Sequence, residues 1–193
     1  MKLRLQGWLA LGCLVGATTL AAAPTRRLAH IDDTAQQLPP IPGDLEMLED
    51  KLAAFERASG IKILVEFHEH SPSADEDKVP GAYMRALSGR LGTLQRGVLV
   101  VYFADDPDWR VWIGDELIPG FVGKPGTVKQ LTANGAIHDV KEALLTAARE
   151  KAEAAFTAML KSMPGDTVPS QDIKLRLQTG ALLDTLMTKL GPK

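Results

Sequence analysis

Cysteine is nearly missing from this chain of 193 residues; the single one is Cys13. It falls in a leader-like stretch, so a mature chain would have no disulfide, no thiol nucleophile and no thiolate metal ligand. Export without disulfides leaves the core alone to hold the fold. Aromatic residues are 5% of the chain, and no basic stripe interleaves with them, which argues against a nucleic-acid partner. The 22 basic and 24 acidic residues nearly balance and single out no partner by charge. No apolar run reaches the roughly 20 residues of a good bilayer span. There is no Gly-x-Ser-x-Gly elbow for a serine hydrolase. Gly120-Phe121-Val122-Gly123-Lys124 lacks the spacing of a phosphate-binding loop. The strand ending in Asp105-Asp106 is not followed by the Asp-x-Asp-x-Thr order of a phosphate-transfer aspartate.

What the chain has is order along its length. Residues 1–22 read as a cleaved secretory signal: Lys2 and Arg4 lead, Trp8 to Val15 are apolar, and small residues follow. Pro24 hinders a cut after Ala23, so cleavage is expected after Ala21 or Ala22, giving a periplasmic or secreted protein. An uncleaved anchor is the competing reading. Ala10-Leu11-Gly12-Cys13 has Ala where a lipoprotein site wants Leu. Residues 23–43, with Pro39-Pro40 and Pro42, read as an extended or disordered linker.

The centre of the chain is Gly97 to Leu117. Val98 to Ala104 is an apolar, β-branched run suited to a strand buried on both faces. Asp105-Asp106-Pro107-Asp108 supplies turn chemistry. Trp109, Val111 and Ile113 then alternate with Arg110 and Trp112 in a half-buried antiparallel strand. The two tryptophans fall on opposite faces, one for the core and one to cover a helix.

Upstream, Asp44 stands as an N-cap, Leu45, Leu48, Leu52 and Phe55 share a helix face, and Gly60 closes it. Ile61 to Phe67 is the first expected strand. Pro80 is placed to open a crossover helix with Met84, Leu87, Leu91 and Leu94, which makes the first two strands parallel. Ile118 to Gly126 reads as a loop and Thr127 to Thr132 as a short helix. A long helix follows from Ile137 to about Met163, stopped by Pro164-Gly165. Ser170 caps a last, appended helix that docks on the domain or on a partner. The expected class is α/β: a small mixed β-sheet sandwiched between helices.

The helix leading into "ASGIKILVEF", the crossover, "RGVLVVYFADDPDWRVWIGDEL" and the long Ala-rich helix resemble the TPM domain family over roughly Asp44 to Met163. The family includes thylakoid-lumen acid phosphatases and exported bacterial proteins. The resemblance implies a TPM-like domain at 44–163 with a C-terminal helical extension at 164–193. It also implies divalent-cation binding in some members, Ca²⁺ or another ion, and phosphatase activity in a few. Envelope or membrane protein complexes are the implied partners. The chain departs from the family at Pro42-Gly43-Asp44-Leu45, in its reduced Gly-rich approach to the second strand, and in lacking a later membrane helix.

Ligands of open α/β sheets sit beyond the carboxyl ends of parallel strands. Phe67-His68-Glu69-His70 and Ala104-Asp105-Asp106 are the two such ends. Asp105, Asp106 and Asp108 are hard oxygen donors for Ca²⁺ or Mg²⁺, or else ordinary turn aspartates. His68 and His70 point the same way if their strand continues; they are candidates for a general acid or base or for a transition metal, against a solvated loop. Asp75-Glu76-Asp77 reads as a solvated acidic loop. Gly114-Asp115-Glu116 is expected at the opposite edge, with the glycine permitting a bend. Two functions stay open: a non-catalytic or weakly catalytic interaction module, and a metal-assisted phosphatase.

Overall fold

The computed structural model describes residues 26–163 and 170–191, apart from the side chain of Gln171. The expected signal at 1–22 and the Pro164-Gly165 stop lie outside the described residues. Four strands form one sheet in the order β1 (Ile31–Asp32), β2 (Lys62–His68), β3 (Gly97–Phe103) and β4 (Asp108–Ile113). β1, β2 and β3 are parallel, and β4 runs antiparallel to β3. The helices are α1 (Asp44–Ser59), α2 (Ala82–Arg90), α3 (Ile118–Val122), α4 (Val128–Ala133), α5 (Ala136–Ser162) and α6 (Gln171–Leu190). This is the expected α/β class, a mixed sheet with helices on both faces. No helix among the described residues is long and apolar enough to cross a membrane.

Strand alternation divides the core in two. Ile63, Val65, Phe67, Val98, Val100, Val111 and Ile113 face α1 and α3 to α6, in a continuous cluster with Leu52, Phe121, Leu144, Leu182 and Leu186. Leu64, Leu99, Val101 and Phe103 face only the short α2, meeting Met84 and Leu87.

Several local expectations change. From residue 26 on, the segment expected as a linker belongs to the domain: Ile31 and Leu38 are buried in the larger cluster, and Val65 N–H donates to the His30 carbonyl at 2.8 Å. Asp33 is fully buried; it accepts from Arg26 and from the Gln37 and Leu38 N–H groups. His30 sits between Glu49 and Glu56 of α1, each 2.7 Å from a ring nitrogen. Two-residue β1 is too short to show alternation, so no periodic signal announces it.

Asp44 is not the cap of α1. Gly43, left-handed at φ 80°, takes that position, and the Asp44 carboxylate is buried against Arg176 of α6. The guanidinium fork offers two charge-assisted bonds, which outbid a first-turn N–H. α2 starts at Ala82 because Gly81, at φ 84°, breaks the helical path after Pro80; Leu91 and Leu94 lie past its end. Ile118 to Val122 is a short helix rather than loop, drawn inward by fully buried Phe121. The last helix docks on the domain, one of its two expected placements: Leu182, Leu183 and Leu186 are core residues, and α6 packs along α5.

Candidate functional site

In-register pairing of β2 with β3 and of β3 with β4 lines up rows of side chains across the sheet. Phe67, Tyr102 and Trp109 form one row, and His68, Phe103 and Asp108 another on the opposite face. Pairing runs just past the strands: Ala104 N–H donates to the His68 carbonyl at 3.0 Å, and Asp105 N–H to that of Glu69 at 3.1 Å. The two carboxyl ends therefore meet at one edge, as the topology read from sequence requires.

Their side chains separate into two groups. The Asp105 carboxylate accepts from Ser71 N–H at 2.8 Å and Ser71 Oγ–H at 2.9 Å, with His70 Nδ1 3.6 Å away. Partial desolvation pushes this carboxyl up, but the two Ser71 hydrogen bonds, with help from His70, hold it below the ordinary range. His68 turns elsewhere. Its Nε2 lies 2.9 Å from Glu66 Oε2, and its Nδ1 3.3 Å from the Tyr83 hydroxyl. Burial first and Glu66 second raise the Tyr83 phenol above its usual value, opposed by Arg90 and Arg110.

His68 and His70 thus do not point together. β2 ends at His68, so strand alternation stops there, and the His70 side chain is 81% exposed against 27% for His68. Asp106 and Asp108 are exposed. Among the described residues no three or more His, Cys, Asp or Glu side chains gather into one group.

The acidic loop holds a residue whose role the sequence hides. Asp77 is half-buried, 2.9 Å from Arg110, and also accepts from Tyr83 N–H at 3.2 Å. Arg110 in turn lies over the Phe103 ring, 5.0 Å from its centroid. Glu66, His68, Tyr83, Asp77 and Arg110 therefore form one polar rim around a buried phenylalanine. Alternation within β2 places Glu66 and His68 on one face, but nothing local names Tyr83 or Asp77.

Gly114-Asp115-Glu116 lies at the opposite edge, as expected; Asp115 and Glu116 N–H groups donate to Leu94 and Gln95 carbonyls. Gly114 serves a close approach rather than a bend. Its φ is not positive, and a Cβ there would stand 2.5 Å from the Gln95 carbonyl oxygen.

On the other face, beside the carboxyl end of β3, lies a groove of about 350 Å³ between the turn and α6. Tyr102, Pro107, Leu175 and Gln178 line it, with Gln37 and Lys174 at its margins. Tyr102 packs against Trp109, ring centroids 5.0 Å apart, and burial raises its phenol. A smaller hollow next to it reaches Trp109, Leu145 and Arg149. The one sequence signal for this groove is Tyr102, a residue with a polar tip inside an otherwise apolar strand.

The fold and this edge define a mixed-sheet α/β sandwich with a groove beside the carboxyl end of β3. No family model, curated protein or solved structure matches the chain.

Proposed function

We propose that the chain is an exported, TPM-like domain that works as an interaction module in the cell envelope, either non-catalytic or weakly catalytic. The observation that carries this reading is the groove of about 350 Å³ between the β3–β4 turn and α6, with an aromatic wall and amide and charged margins. Aromatic and amide side chains together suit a polypeptide segment, giving it contact area and adaptable hydrogen bonds. A divalent cation, Ca²⁺ or another, would sit at Asp105 and Asp106 and order the turn that forms one lip of the groove. The partner is an envelope or membrane protein complex.

A photo-crosslinking side chain at Gln178 tests this in envelope preparations, with exposed Glu150 of α5 as control. A discrete adduct from Gln178 alone supports the module; equal labelling from both positions sinks it. For the cation, a thermal melt in EDTA and then in Ca²⁺, Mg²⁺ or Zn²⁺ is read against Asp105→Ala/Asp106→Ala. A midpoint rise lost in the double variant is the expected result, because a ligand bound only by the folded state must stabilise it.

The second reading, a metal-assisted phosphatase, rests on His68. Its imidazole is oriented by Glu66 and faces the Tyr83 hydroxyl, the pattern of a held general acid or base. Hydrolysis of a simple phosphomonoester that requires the cation and disappears in His68→Gln would favour it over the first.

A further inference from the structure

A second concavity lies on the face that carries α2. That helix packs chiefly on β3 and β4, which leaves the β1–β2 half of the face thinly covered. There a groove of about 280 Å³ runs between the chain around β1 and the end of α2. Strand alternation builds its floor. Lys62, Leu64 and Glu66 of β2 share this face, and pairing sets Asp32 of β1 beside Glu66. Leu64 is buried in the floor, with half-buried Leu28 and Leu91 in the walls.

The ionisable residues of this lining are Arg27, His30, Asp32, Lys62, Glu66 and Arg90. Both acids are committed: Asp32 accepts from Arg27 and from the Thr34 N–H, each at 3.1 Å, and Glu66 is engaged with His68 at 2.9 Å. His30 is clamped between Glu49 and Glu56. Among the described residues, only the Lys62 and Arg90 side chains of this lining have neither an ion pair nor a hydrogen bond. Arg90 stands in the last turn of α2, where a cation suits the helix dipole, yet no carbonyl at that end accepts from its side chain. Glu76, an acid outside the groove that feels Arg90, already accepts from the Ser73 N–H and Oγ–H at 2.8 Å. The charge left free in the groove is positive, one ammonium and one guanidinium beside an apolar floor.

We infer that this groove binds a small organic anion, whose carboxylate or phosphate head bridges Lys62 and Arg90 and whose apolar body lies on Leu64. The guanidinium fork matches the paired oxygens of either head, and the ammonium adds a second charge-assisted bond. Leu28, Leu64 and Leu91 give the body a surface that an inorganic ion would leave wet. The volume is at the small end for ligand sites, which suits a ligand of one head and a short chain rather than a nucleotide. A cation finds no free acceptor here, because Asp32 and Glu66 are taken.

The test is titration of the purified protein with sodium hexanoate and with hexyl phosphate, followed by backbone amide NMR. Hexylammonium, with the same body and the opposite charge, is the control. Saturating shifts at the Lys62, Leu64, Arg90 and Leu91 amides are expected with an anion and not with hexylammonium, and they weaken as salt is raised. Lys62→Gln/Arg90→Gln should loosen binding at least about tenfold, since each cation supplies a charge-assisted hydrogen bond. A response to only one of the two anions keeps the site and names its head group. No saturating shift with either anion overturns the proposal, as does equal binding of hexylammonium or binding that survives the double variant. Tighter binding of hexaglutamate than of hexanoate also overturns it, assigning the groove to an acidic polypeptide. Should the double variant not fold, the comparison with hexylammonium on the unaltered protein decides. The groove beside α6 lies on the other face, and its crosslinking result stands whichever way this one falls.

Discussion

The two faces of the sheet carry the same strands but are built differently. The face under α1, α5 and α6 is deep: Ile63, Val98, Phe121 and Leu186 are wholly buried, and its ionic pair Arg26–Asp33 lies inside. The face under α2 is shallow. One nine-residue helix covers it, and past its apolar patch the side chains turn polar as Glu66, His68, Tyr83, Asp77 and Arg110. The difference teaches where stability and chemistry reside. Buried apolar area holds the fold, and the thinly covered face keeps ionisable groups near water, where they can change state.

The largest test of that contrast is a pair of leucines. Leu186→Ala, on the deep face, should cost about 3–5 kcal/mol in urea unfolding, against about 2–3 for Leu87→Ala under α2. Equal costs would break the distinction. A pair of aspartates sharpens it with like chemistry. Asp33→Ala leaves Arg26 unpaired in the interior and should cost about 3 kcal/mol. It should also free residues 26–38 to exchange their amides. Asp77→Ala removes the half-buried partner of Arg110 and should cost about 1 kcal/mol or less.

The smallest effect is at the turn. The Asp105 carboxyl is held below its ordinary value, so its contribution is present above about pH 4 and fades as pH falls through the lower folded value. Ser71→Ala should bring its titration, followed by carboxyl NMR, back toward that of a free aspartate. An unchanged titration would mean that Ser71 does not govern it.

Much of the deep face was legible along the chain. Leu45, Leu48, Leu52 and Phe55 marked α1, and the apolar run at Val98 marked a doubly buried strand. The β2–β3 parallel pair followed from the crossover between them. The shallow face was legible only in part. His68 stood out as an imidazole at a strand end, but its partners Tyr83 and Asp77 did not, because they come from a helix and a loop whose approach no spacing encodes. The acidic turn stood out by residue type, but the contacts of Asp105 with Ser71 and His70 did not, because they come from the loop after β2.

By itself the sequence determined the periodic elements, their class and the parallel pairing, since side-chain alternation is a local property that survives without knowledge of neighbours. Tertiary structure decided the rest. It brought Ile31–Asp32 in as a fourth strand, buried α6 in the core, and carried the Asp44 carboxylate away from its own helix end to Arg176. It also parted His68 from His70. A charged or hydrogen-bonding side chain goes to whichever partner the folded chain brings within about 3 Å. That distance is set by segments far apart in sequence.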